Sequence, residues 1–253
     1  MSSKEATAAT LTLDWDQVAN DPGWSSGSLA GGSFGVGGGF VDVSFEQGSG
    51  VSFVGFGNGV RTPDINSVLN GTDPDSDRSL HLQINAEQVG LGAGDYAVTM
   101  NTQFSGYSQP ITDVSFWLYD IDIQGNSWQD RIILRGFQGS NIVSPSFNFL
   151  YPGTNTVEVI DAFTLDGVRS VGNDDDQSNV LVAFNDPIDR FELIFTDGDD
   201  IGTINPASHG IGIGDISFTE TEDLKSVPEP ASLLGLMAVG LMAMMGYRNH
   251  LKP

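Results

Sequence analysis

About ten short stretches between residues 40 and 218 alternate apolar with polar side chains, and no window before Pro228 holds a helical period for three turns. A period of two puts every second side chain on one face, so each stretch reads as a strand with a buried side and a solvent side. The clear cases are residues 40–46, 80–84, 96–100, 114–119, 156–160 and 191–195, with further candidates at 51–56, 131–137, 180–184 and 211–218. Clusters of Gly, Pro, Asn and Asp separate them, and 32 Gly with 11 Pro favour turns over long helices. The pattern predicts an all-β fold, an antiparallel β-sandwich of jelly-roll type over residues 40–219, with two sheets burying their inner faces against each other. The 15 Phe and 4 Trp supply the bulk for that core.

Residues 1–39 read as a Gly/Ser-rich segment leading into the first strand, with Phe34, Val36 and Phe40 on one face. GxGxxG-like spacing occurs there, but no βαβ unit surrounds it, so phosphate cradling is not expected. Residues 220–227 form a polar stalk.

The end of the chain is of a different kind. Residues 231–247 carry no charge, and Leu, Met, Ala, Val and Gly cover every face of a helix drawn through them. At about 1.5 Å per residue such a helix reaches roughly 25 Å, the lower limit for a hydrocarbon core of about 30 Å. A single transmembrane helix is therefore expected over 231–247, within a terminal segment 228–253. Arg248, His250 and Lys252 follow it and should stay on the cytoplasmic side, which leaves the acidic body outside. Pro230 suits the first turn of that helix, and Glu229 the positive end of its dipole. Met1–Thr10 lacks the apolar core of an export leader, which argues against export of the chain as it stands; a different start site or a missing leader would reconcile the two ends.

Val227, Pro228, Glu229 and Pro230, the uncharged stretch and the basic Arg248 together resemble the PEP-CTERM sorting signal of bacterial surface proteins. The resemblance implies recognition by an exosortase, a single-pass membrane form before processing, a final place in the cell envelope or on the extracellular surface, and association with extracellular polysaccharide or biofilm matrix. Residues 111–146, with Asp-Ile-Asp closing one strand and Asp-Arg opening the next, look like strand pairs of extracellular β-sandwich domains in anchored bacterial proteins, and GIGDISF at 212–218 is similar to their last strand. That likeness implies an adhesive or carbohydrate-binding module.

The net charge is −23, and two of the 10 basic residues, Arg248 and Lys252, lie beyond the apolar run, so the body is more acidic still. Such a field repels phosphate backbones and anionic headgroups, which excludes nucleic acid as an expected partner and leaves cations and neutral ligands. With no Cys, disulfides and thiolate chemistry are absent.

Clustered carboxylates carry the remaining chemistry. Asp73, Asp75 and Asp77 alternate as in a calcium loop, but Arg78 and Ile84 replace the required Gly and Glu, so an EF-hand is rejected. Asp120 and Asp122 end a strong strand, with Asp130 across the following loop, and this trio is the first choice for a structural Ca2+; Asp174–Asp176 and Asp197, Asp199 and Asp200 are further loop candidates. Trp117, Tyr119 and Trp128 are the aromatics best placed to stack on a sugar ring. His81 interrupts the inward set Leu80, Leu82 and Ile84 and is expected to face solvent. The three His are scattered, and no HExxH or GxSxG pattern occurs, so no enzyme is expected. The leading reading is a structural or adhesive surface protein; the alternative is a carbohydrate-binding module, and a polysaccharide-acting enzyme comes third.

Overall fold

Residues Gly39–Gln47 turn the alternation into burial: Val41, Val43 and Phe45 are enclosed while Phe40 and Glu46 are exposed. The same rule repeats along the chain. The computed structural model describes residues 8–56, 59–71, 78–88, 96–173, 175–201 and 205–220. Its strands are β1 (Ala9–Leu13), β2 (Gly32–Val36), β3 (Gly39–Gln47), β4 (Val51–Phe53), β5 (Asp64–Asn66), β6 (Ser79–Ala86), β7 (Val98–Ser105), β8 (Thr112–Tyr119) and β9 (Asp130–Gln138). They continue with β10 (Asn141–Val143), β11 (Ser146–Phe149), β12 (Val157–Val159), β13 (Thr164–Gly167), β14 (Val180–Phe184), β15 (Arg190–Asp197), β16 (His209–Ile213) and β17 (Ile216–Glu220). A single helical turn, α1 (Trp15–Val18), is capped by the Asp14 carboxylate.

The strands form two antiparallel sheets. One runs β1-β17-β8-β16-β6-β4, with β14 and β11 extending from β8 and β5 beside β6. The other runs β12-β13-β9-β15-β7-β3-β2, with β10 beside β9. Their inner faces meet through aromatic pairs that join one sheet to the other: Phe116 stacks on Phe191 at 5.0 Å, Phe184 lies 5.8 Å from Phe191, and Phe104 meets Phe218 at 5.0 Å. The fold is all-β with almost no helix, as the alternation implied. Phe191 is fully enclosed between the sheets. Phe191→Ala should therefore cost about 3–5 kcal/mol of unfolding free energy, measured by urea denaturation, because stacked rings on both sides prevent the cavity from collapsing.

Residues 9–36 are part of these sheets rather than a lead-in to them. β1 pairs with β17 over its whole length, and β2 folds back on β3 through the Gly37–Gly38 turn, Gly37 holding φ 60. A two-residue turn with positive φ is the geometry that suits a twisted hairpin. It separates the three residues expected on one face: Phe34 points into the core, and Phe40 is half exposed.

His81 also departs from expectation. It is fully buried, with Nδ1 3.2 Å from Asn66 Nδ2, Nε2 3.1 Å from Gln83 Oε1, and the ring edge-on to Phe56. Phe56 and the chain that follows β5 as far as Leu69 close over the outer side of β6, so both faces are enclosed. Burial pushes the imidazole below its ordinary pKa. The covering layer can sit close because β16 offers glycine outward: a Cβ at Gly212 would overlap the Leu69 carbonyl.

Among the described residues no helix is long and apolar enough to cross a membrane. The helix expected over 231–247 and the sorting residues Val227, Pro228, Glu229, Pro230 and Arg248 lie outside the described residues, as do Asp73, Asp75 and Asp77.

Candidate functional site

Three strands deliver ionisable residues to one end of the core in the same phase as the apolar side chains that fill it. Asp130 shares its face with Ile132 and Leu134, Asp197 with Phe195 and Leu193, and His209 with Ile211 and Ile213, all of them buried. Asp130 and Asp197 stand directly opposite each other on β9 and β15. Two carboxylates so placed repel, and in a dry interior the repulsion is strong. His209, from the other sheet, enters between them: Nδ1 is 2.5 Å from Asp130 Oδ1, and Nε2 is 3.1 Å from Asp197 Oδ1. The Trp128 ring lies parallel to the imidazole at 5.5 Å, and Phe195 meets it edge-on at 5.0 Å.

Burial alone would lower the His209 pKa, but the two carboxylates outweigh it and raise the value to about 9. The ring is therefore an imidazolium at neutral pH, and it is the cation at the centre of this acidic group. Burial also raises Asp130, against the downward pull of His209.

The loop from β8 to β9 carries the neighbouring carboxylates. β8 ends at Asp120, which holds φ 64, an unusual backbone for a residue with a side chain. The loop is pinned by the Ile123–Gln129 bridge, and the Asp122 N–H donates to Asp130 Oδ2 at 2.9 Å. Asp122 Oδ2 accepts from the Val171 N–H at 2.9 Å, while its Oδ1 is buried with no hydrogen-bond partner. Burial, and then the Asp130 charge, push the Asp122 pKa up to about 7. A Cβ at Gly167 would overlap the Asp122 carbonyl, so glycine at the end of β13 is what lets this loop lie flat against the sheet.

Asp122 and Asp130 come together, and Asp120 lines the same cleft as Asp122. Both oxygens of Asp130 are taken, one by His209 and the other by the Asp122 N–H. Among the described residues no three His, Asp or Glu side chains are set to hold a metal ion. Other loop acids among the described residues are also engaged, while Asp174 lies outside the described residues. Arg131 grips Asp166 with Nε at 2.7 Å and Nη2 at 2.5 Å, and reaches Asp199; this pairing holds Asp199 below the usual carboxylate range. Asp200 accepts from Gln129 Nε2 at 3.0 Å, and Asp175 bonds the Gln177 N–H at 3.0 Å.

A polar cleft of about 300 Å3 opens over this group, bounded by Asp120, Asp122, Gln83, Asn173, Phe56 and Trp128, with His209 at its base. Of the three aromatics expected to bind a sugar, only Trp128, half-buried, borders it. Tyr119 is 2% exposed and is closed in by Gly71 and Gly214, so it presents no stacking face. Trp117 is half-buried on the outer face of β8 and does not line the cleft.

Beyond the described residues, 226–249 match the model of the PEP-CTERM protein-sorting motif. The chain carries a PEP-CTERM sorting motif. It spans the residues from the end of the stalk through the uncharged stretch to the basic end, and it implies processing by an exosortase and a place at the envelope or surface. No curated protein matches the chain.

His209 is the residue of this buried group that the spacing of motifs did not reveal, since it lies 79 residues from Asp130. The signal was its phase: a histidine aligned with Ile211 and Ile213 must point inward, where an unpartnered imidazole is costly.

Proposed function

We propose that this PEP-CTERM chain is a surface or extracellular-matrix protein, tethered by a single C-terminal helix before processing, whose β-sandwich is structural or adhesive rather than catalytic. The sorting motif carries this reading. The strand order supports a jelly roll: β6, β16/β17, β8 and β14 face β7, β15, β9 and β13, so that consecutive strands cross between the sheets except where β9 leads to β13. A non-catalytic role is supported by His209, whose two ring nitrogens are already turned to Asp130 and Asp197 away from solvent. Fractionation of the native host, with intact mass of the product, is the test. Envelope or medium location with loss of mass from the tail is expected; uncut protein free in the cytosol would refute the reading.

The cleft favours carbohydrate binding as a second reading, because an indole ring and several hydrogen-bonding side chains border one concave space. Glycan-array binding by the intact chain should be lost in Trp128→Ala while the melting transition remains cooperative. Unchanged binding would remove Trp128 from the reading.

A further inference from the structure

Asp122 is 2% exposed, and its Oδ1 has no hydrogen-bond partner. Such an oxygen costs free energy unless something completes it. His209 serves Asp130 and Asp197, and Arg131 serves Asp166 and Asp199. The unpartnered oxygen belongs to a residue that borders the cleft beside Asp120, on the side shared with Trp128.

We propose that this cleft receives an amino-sugar residue of a glycan, with its protonated amine held by Asp122 and Asp120. The proposal rests on the carbohydrate-binding reading and names the class of sugar. A neutral hydroxyl can donate to Asp122 Oδ1 but brings no countercharge for the ionised carboxylate; an ammonium supplies both hydrogen and countercharge. A hard divalent ion would satisfy the charge but requires about six to eight oxygen ligands. Asp122 Oδ2 is held by the Val171 N–H and Gln83 Oε1 faces His81 Nε2, which leaves the side chains here short of that number, whereas an ammonium has only three N–H groups to place. The indole of Trp128 and the exposed Phe56 ring give the sugar's apolar face something to lie on. The surrounding field agrees, because a chain of net charge −23 repels uronate-bearing or phosphorylated glycans and concentrates cationic ones.

Titration calorimetry on the full-length protein in neutral detergent, at 0.15 M salt, compares a β-1,4-linked glucosamine trimer with its fully N-acetylated counterpart. The glucosamine trimer should bind at least about tenfold more tightly, the worth of one charge-assisted hydrogen bond. Asp122→Asn and Asp120→Asn, each checked for an intact melting transition, should each shrink that preference. Asp186→Asn, at an exposed loop position, controls for general attraction to an acidic protein and should retain it. Equal binding of the two trimers overturns the amine assignment and leaves the carbohydrate reading standing. Binding of neither trimer overturns both, as does heat from CaCl2 alone that disappears in Asp122→Asn without any trimer binding. A preference untouched by both cleft variants, or lost equally in Asp186→Asn, assigns the effect to bulk charge and also overturns the proposal.

Discussion

His209→Leu is expected to lose about 3–5 kcal/mol of unfolding free energy, the cost of leaving two facing buried carboxylates without their cation. Asp130 and Asp197 are both fully enclosed and sit opposite each other in register, so neither can swing toward water. Urea denaturation at pH 7 checks the loss. Adding Asp130→Asn and Asp197→Asn to His209→Leu should recover part of it, since removing the charges removes the repulsion; a ring that merely filled space would show no such recovery. The pH profile separates the same alternatives. The folded pKa of His209, about 9, lies above its unfolded value of about 6.5. Its contribution is therefore complete below pH 6.5 and is lost as pH rises through 9, amounting to about 3 kcal/mol. Asp122, raised to about 7, acts in the same direction at lower pH: its unfolded form ionises first, so stability also declines from about pH 4 to 7. The wild-type melting temperature should fall across pH 6.5–9, and the slope over that window should flatten in His209→Leu. An unchanged slope would show that the imidazole is not the titrating group.

Replacing Pro228, Glu229 and Pro230 with alanine is expected to leave the native product at full mass and in the membrane fraction. If the proposed tether is a helix, two prolines suit its first turn and Glu229 the dipole end that favours negative charge. Three alanines erase the motif while keeping the uncharged stretch, so membrane association should survive and trimming should not. Glu222→Gln, upstream of the matched residues 226–249, serves as the control and should be processed normally. A trimmed product from the triple variant would separate processing from these residues.

Most of the architecture was legible because period-two alternation has a single physical meaning when one face of a strand meets a core. β14 falls at residues 180–184, as the pattern reads it, and β8 and β9 differ from their expected spans only at the ends. The failures have specific causes. Residues 211–218 read as one strand but break at Gly214–Asp215, where the Trp15 indole donates to the Gly214 carbonyl at 2.8 Å and the Trp15 N–H to Asp215. His81 was misplaced because alternation assumes an open outer face, and here a Gly- and Pro-containing segment with little alternation of its own covers it. The candidate site was half visible: Asp122 and Asp130 are near neighbours along the chain, whereas Asp197 and His209 reach them only through sheet pairing and the closure of one sheet over the other. Tyr119 shows the converse limit, since strand phase placed it outward and could not reveal the cover supplied by Gly71.

The imidazolium between β9 and β15 belongs to β16, so this group fastens one layer of the sandwich to the other in a chain that has no cysteine. The rivet is ionic, and it forms as the chain folds, without oxidant or thiol exchange partner. A reducing medium therefore leaves it untouched, while alkali loosens it, so the two layers should begin to part from this end when the surroundings turn basic.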